Sequence, residues 1–436
     1  MITPSFGLTA TERVLPSMAL DFTTESLDSR VTFTRSGGTA TVVNSNGYVA
    51  AAGVDVPRFD YDPVTLACKG LLIEESRTNI CLSSETFNSG WMTSNVTVGA
   101  NVVNSPDGTQ NADSLTDNGT SAGHGVRRVF TIAASTQYAA SCYVKAGTHN
   151  YVQLLPMDGG ATDRFAAAVF DVSSSSTETA ATETLASTGV TIQSTKQEAA
   201  GNGWFRVSMV FTSGSNWATS TTSNRVYMAE SATGNTFGTT GASTYAGTGT
   251  TLYVWGAQLE AGAFPTSYIP TTTAQVTRTA DVATMTGPDF SDWYNQTEGT
   301  FQTYWKLFAT GTTACYAWTA YQAASSTNRH YVMAQEALPY KPYYVMRPNN
   351  SVTAALGPGT AEAESSIVAA YKTDSFALAQ LGGTPFTDTS GAVTANIDSF
   401  AIGRRQDGSL YLNGHLKTIE YWPYRLTDSQ VQAFSK

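Results

Sequence analysis

The stretch Trp204-Phe205-Arg206-Val207-Ser208-Met209-Val210-Phe211 alternates large apolar side chains with smaller or polar ones. In an extended chain successive side chains point to opposite faces, so Phe205, Val207, Met209 and Phe211 share one face, and that face must be buried. The same period of two sets Tyr138, Ala140, Cys142 and Val144 on one side, and Tyr253, Trp255, Ala257 and Leu259 on another, as inner faces of a sandwich. Further along, Thr300 to Phe308, His330 to Ala334, Ile397 to Gly403 and His415 to Trp422 read as strands. Only Leu426 to Phe434 reads as a helix. Thr427 stands three residues before Gln430, the capping-box spacing, and Val431 and Phe434 make an apolar edge that is predicted to close a sandwich end.

Composition points the same way. Of 436 residues 13% are charged, 41% hydrophobic and 11% aromatic, which favours ordered sheets and turns. The net charge is −10 with Lys and Arg scattered singly, so nucleic acid is not an expected partner. Cys68, Cys81, Cys142 and Cys315 have no C-x-x-C spacing, which predicts free thiols. The amino terminus lacks a basic start and a continuous apolar run, and no stretch approaches the roughly 20 apolar residues of a membrane span. A soluble chain with no secretory signal and no membrane insertion is expected.

At about 150 residues per domain the length implies two or three domains. Ile269-Pro270-Thr271-Thr272-Thr273 interrupts the hydrophobic patterning and predicts a boundary between Pro270 and Asp289. Ser173 to Thr195 and Thr212 to Ser223, poor in large apolar residues, read as long surface connections.

Three segments carry a resemblance over most of the chain. The first is Pro57-Arg58-Phe59-Asp60-Tyr61-Asp62-Pro63 followed by Lys69-Gly70-Leu71-Leu72-Ile73-Glu74-Glu75-Ser76-Arg77-Thr78-Asn79. The second runs from Tyr253-Val254-Trp255-Gly256-Ala257-Gln258-Leu259-Glu260-Ala261-Gly262 through Pro265-Thr266-Ser267-Tyr268-Ile269-Pro270-Thr271. The third is Leu412-Asn413-Gly414-His415-Leu416-Lys417, then Tyr421-Trp422-Pro423-Tyr424-Arg425-Leu426-Thr427. Together they resemble phage head-spike-fibre and tail-fibre proteins with jelly-roll and concanavalin-A-like lectin modules.

The resemblance implies an all-β chain of two β-sandwiches after an extended amino-terminal β segment. Residues 1–80 would serve virion attachment or oligomerisation, 81–275 a carbohydrate-binding-module-like jelly roll, and 285–436 a concanavalin-A-like or laminin-G-like sandwich. The leading segment is too small for its own core, so it must pair with another subunit or with the sandwiches. The implied function is that of a virion structural protein, assembled in the bacterial host cytoplasm. It displays its modules to host surface polysaccharide as a trimeric or pentameric homo-oligomer bound to other virion proteins. A capsule depolymerase or deacetylase is the alternative, and a purely structural cement or collar subunit a second one.

Catalytic signals are weak. Gly119-Thr120-Ser121-Ala122-Gly123 spells a nucleophile elbow without a strand-to-helix context, and His124, His149, His330 and His415 are isolated in sequence. No enzyme, metal site or cofactor is expected. Asp107 and Asp113 bracket an oxygen-rich turn, read as an Asx turn over a calcium loop. Sugar contact needs an exposed ring beside polar groups. Trp217, in the polar run Ser213 to Thr219, is one candidate. The others, Tyr340, Tyr343, Tyr344 and Arg347, lie in the proline-stiffened stretch Leu338 to Pro348. Trp204, Trp255 and Trp305, inside strand patterns, are expected in the core.

Overall fold

The structure, a computed structural model, describes residues 15–158, 164–173, 178–217, 222–309, 314–335, 341–357 and 362–436. The fold is all-β, and most of the described strands form two sandwiches, with three two-stranded sheets beside them. In the jelly roll one sheet runs Glu178–Thr179, Thr191–Ala199, Trp204–Thr212, Gln137–Ala146, Thr251–Ala261, Ala112–Asp117, Val96–Val103. The facing sheet runs Glu183–Ala186, Ala166–Asp171, Tyr151–Leu154, Thr222–Met228, His124–Phe130, Met92–Ser94. Between them lie Phe205, Val207, Met209, Phe211, Tyr138, Ala140, Cys142 and Val144, as the alternation requires. Two edge strands, Glu178–Thr179 and Glu183–Ala186, and the start of Thr191–Ala199 fall within the expected surface connection 173–195, so that stretch widens both sheets.

One inner-face set departs from simple alternation. Ala257 and Leu259 are in the jelly-roll core, but Trp255 is packed on the outer face with Tyr143, Trp204 and Tyr268. The ladder slips between Ser141 and Tyr143 opposite this point, and Gly256 has φ +62, the left-handed conformation of a bulge. The extra residue reverses the phase of everything before it.

The second sandwich is assembled from both ends of the chain. One sheet runs Phe386–Asp388, Phe376–Gln380, Glu364–Lys372, Glu298–Leu307, Gly414–Trp422, Cys68–Ile73, Phe59–Tyr61, and Met18–Asp21 also pairs with Gly414–Trp422. The other runs Thr32–Thr34, Val282–Thr286, Ser399–Ile402, Cys315–Gln322, Ser325–Gln335, Tyr343–Arg347, Ala354–Leu356. The strands Met18–Asp21, Thr32–Thr34, Phe59–Tyr61 and Cys68–Ile73 are therefore integral to this sandwich, while Ala40–Val43 and Val49–Ala52 pair as a separate two-stranded sheet. The separate attachment segment drawn at 1–80 gives way to a split domain, with the jelly roll inserted between its two parts. The reason is hydrophobic: Met18, Leu20, Phe22, Val31, Phe33, Leu71 and Ile73 join the same core as Trp305, Trp318, Phe400 and Ile419. The crossing point is the two-stranded pair of Arg77–Asn79 with Val276–Arg278.

Gly70 makes this arrangement possible. At φ +99 a Cβ there would stand 2.1 Å from the Leu416 carbonyl oxygen, where Leu71 pairs with Leu416. Gly70→Ala is expected to cost at least about 2 kcal/mol in urea unfolding, because backbone opposes backbone and neither side can yield.

The helix Asp428–Phe434 begins as predicted, with Thr427 and Gln430 forming a capping box. Its placement differs: Val431 and Leu426 cover Val368, Ala370, Ala377 and Ala379 on the outer face of a sheet, and Phe434 stacks on Trp422 at 5.3 Å. At the heart of the second core His330 bridges two phenols, Tyr294 Oη at 2.8 Å from Nε2 and Tyr344 Oη at 3.1 Å from Nδ1. Burial pushes His330 down to about 3.

Candidate functional site

The two sandwiches meet over a buried charge network. Arg35, Arg58 and Arg278 face Glu74, Glu260 and Asp281, all fully buried or nearly so. Arg35 reaches Asp281 at 3.0 Å, Arg58 reaches Glu74 at 2.7 Å and also pairs with Asp281, and Arg278 reaches Glu74 at 3.3 Å. Glu74 accepts from the backbone N–H of Ser267 at 2.7 Å and its hydroxyl at 2.6 Å, which joins the split sandwich to the exit of the jelly roll. Burial alone would raise Glu74, yet Arg278, Arg58 and Ser267 hold it down to about 2. Glu260 accepts from Thr266 N–H, Thr266 Oγ1 and Gln258 Nε2, each at 2.7 Å. Asn79 completes the joint, donating to the carbonyl of Ile269 at 2.8 Å and accepting from Leu259 N–H at 3.1 Å. The first two segments that carry the family resemblance are thus the two sides of one domain joint.

Beside this joint opens a cleft of about 300 Å³. The split sandwich lines it with Asp60, Asp62, Lys69, Lys306, Phe308 and His415, and the jelly roll with Tyr143, Glu178, Lys196, Glu198 and Arg206. His415 Nε2 lies 2.8 Å from Asp60 Oδ2, and Lys69 Nζ 3.5 Å from the same oxygen. Burial would raise Asp60, but Lys69 and the hydrogen bond from His415 outweigh it and hold the carboxyl at about 2. Burial lowers His415 more than Asp60 raises it, so the imidazole is neutral at pH 7, with its proton on Nε2 facing the carboxylate. Its Nδ1 has no hydrogen-bond partner among the described residues. Phe308 meets the His415 ring edge-on at 5.5 Å. Across the cleft Lys196 is held by Glu198 at 2.8 Å, and Arg206 donates to Ser141 Oγ at 3.1 Å and lies over the Tyr143 ring.

Cations and carboxylates balance in this lining, and an aromatic ring stands among them. Such a surface suits an uncharged ligand rich in hydroxyls, which donate to carboxylates, accept from ammonium and guanidinium groups, and pack a C–H face on the ring.

The residues singled out in the sequence lie elsewhere. Trp217 is 3% exposed, in the jelly-roll core against Phe211, so its ring is not offered to a ligand. Tyr344 is wholly buried on His330. Both correct the expectation of contact residues. Tyr340 lies outside the described residues. Tyr343 and Arg347 are half-buried on the outer face of the second sandwich, away from the cleft. Asp107 accepts from Thr109 N–H and Ser105 Oγ, each at 2.7 Å, which is the Asx turn. The cleft residues had no local signal: His415 and Asp60 are 355 positions apart.

The fold and cleft define a class: an all-β chain of two joined sandwiches with a polar cleft at their seam. No protein-family model and no curated protein matches the chain. Among solved structures it is similar to the carbohydrate-binding module of Ruminococcus gnavus IT-sialidase bound to α2,3-sialyllactose, at 10% identity and TM-score 0.30 over 34% of this chain and 88% of that one. It is also similar to Trypanosoma rangeli sialidase in complex with sialic acid, at 12% identity and TM-score 0.27 over 74% of this chain and 60% of the sialidase. A third similarity is to the LG1-3 region of the laminin α2 chain, at 8% and 0.24 over 70% and 66%.

Proposed function

We propose that this chain is a glycan-binding subunit of a bacteriophage-type virion, a head-spike or tail-fibre protein that holds host surface polysaccharide in the cleft between its sandwiches. The observation that carries the reading is the cleft itself, concave, hydroxyl-matched and walled by two domains locked together by buried ion pairs. The virion assignment is supported by the resemblance, whose first two segments form the joint. Binding without turnover fits Asp60, which stays ionised far below neutral pH and so has no proton to give a leaving group. Weak single-site affinity becomes useful when copies act together, so a closed homo-oligomer on the particle, a trimer or pentamer, belongs to the proposal.

The test is retention of host capsular polysaccharide by the purified chain, with polymer length and acetyl content followed over time. Binding with unchanged polymer is expected, and Phe308→Ala or Arg206→Ala should each weaken it at least about tenfold, as truncation of a central aromatic or arginine contact does. Shortened chains or released acetate would replace this reading with the enzymatic one, for which the His415–Asp60 pair is the place to look.

A further inference from the structure

One corner of the cleft is aliphatic. The paired strands Ala40–Val43 and Val49–Ala52 set Val43 directly opposite Val49, so the two side chains share a face, and both line the cleft together with Pro63 and Val64. Val64 is 56% exposed, and it stands on a closed turn. Asp62 Oδ1 accepts from the backbone N–H of Val64 at 2.9 Å and of Thr65 at 2.8 Å, and the Asp62 carbonyl accepts from Leu66 N–H at 2.9 Å. Two glycines pack on the same turn. A Cβ at Gly47, between the paired strands, would stand 2.9 Å from the Pro63 carbonyl oxygen, and a Cβ at Gly201, in the jelly roll, 2.8 Å from that same oxygen. Backbone from both sides of the seam therefore holds this wall in place before any ligand arrives, which lowers the ordering cost of binding. The aliphatic corner adjoins charge. Val43 N–H donates to Asp60 Oδ1 at 2.8 Å, so the valine sits beside the carboxylate that also holds His415 and Lys69. The Lys69 side chain is 29% exposed, and its ammonium carries three N–H donors.

We infer that this corner takes the acetamido group of an N-acetylated sugar, its methyl on Val43, Val49 and Val64, its N–H toward the carboxylates of Asp60 and Asp62, and its carbonyl oxygen toward Lys69. The inference rests on the glycan-binding reading and narrows it to polysaccharides that contain N-acetylhexosamine. A methyl, an amide donor and a carbonyl acceptor are the three parts of that group, and an aliphatic wall, a carboxylate and an ammonium are the surfaces that receive them. A plain hexose carries a hydroxyl in place of the acetamido group and leaves the valines against water.

The experiment titrates the full chain with chitotetraose and with cellotetraose, which share linkage and ring and differ only in the acetamido group at C2. Chitotetraose is expected to bind about tenfold more tightly, and saturation-transfer NMR should show its acetyl methyl protons as the most strongly saturated. Val64→Asn should weaken chitotetraose about fivefold, leave cellotetraose unchanged, and leave the melting temperature unaltered, since the side chain lies at the surface. Lys69→Met, which removes the carbonyl's donor, is a second route should Val64→Asn lower the melting temperature. A chain that retains host capsular polysaccharide yet takes chitotetraose no better than cellotetraose would overturn the acetamido assignment and leave the cleft reading standing. So would cellotetraose O-acetylated at C2 bound as tightly as chitotetraose, because the ester has no N–H. Failure of the host polysaccharide and both tetraoses to bind would remove both readings.

Discussion

Asp281→Asn is expected to destabilise the folded chain by about 3–5 kcal/mol, measured by urea unfolding followed through tryptophan fluorescence. Asp281 accepts from Arg35 Nη1 at 3.0 Å, from Arg58, and from the backbone N–H of Glu74 at 2.9 Å. Asparagine keeps the shape but turns one of those acceptors into an N–H₂ group that faces a guanidinium. Among the described residues, three buried arginines would then be left with the buried carboxylates of Glu74 and Glu260. Removing one member of a buried ionic group is costly because its partners keep their desolvation without their attraction. The exposed pair Lys372–Glu298 at 3.5 Å is the control, and Lys372→Gln should change stability by less than about 1 kcal/mol. Equal effects from the two substitutions would contradict the joint described here.

Acidification from pH 6.5 toward pH 3 should remove on the order of 4 kcal/mol through His330. Its folded value is depressed to about 3, whereas in the unfolded chain it titrates near 6.5. Between these values the unfolded state binds a proton that the folded state refuses. The contribution is therefore complete above pH 6.5 and lost as pH falls. His149 and His415, also lowered by burial, act in the same direction in the upper part of that window. Asp60 and Glu74, each held at about 2, have the opposite ionic form but the same outcome lower down, where their stabilisation is lost as pH falls through the carboxylate range. His330→Phe should make the stability curve shallower between pH 6.5 and 4.5. At pH 8 it should still cost about 1–3 kcal/mol, because the hydroxyls of Tyr294 and Tyr344 lose their partner. A curve of unchanged steepness would assign the acid sensitivity to other groups.

The fold was legible where a pattern is local. Phe205 to Phe211 and Tyr138 to Val144 obey a period of two, and Thr427 with Gln430 spells the start of the terminal helix. Trp255 was not legible, since the bulge at Gly256 depends on how the partner strand slips. Trp217 sits in a polar run, and only the folded jelly roll brings Phe211 over it. Tyr343 and Tyr344 are adjacent in one strand, so strand geometry allows only one of them to face outward, a signal present in the sequence. The segment 18–73 gave short strands but not their partners, because Arg58 finds Asp281 across 223 positions and His415 finds Asp60 across 355. Chemistry assembled over such distances leaves no local spelling.

Hydrogen–deuterium exchange of the chain with and without a bound host polysaccharide fragment tests the seam as the glycan site most directly. Slowed exchange is expected in residues 60–69, 196–206 and 306–308, the walls of the seam. Saturating fragment that leaves these segments unchanged while protecting loops remote from both domain walls would contradict it.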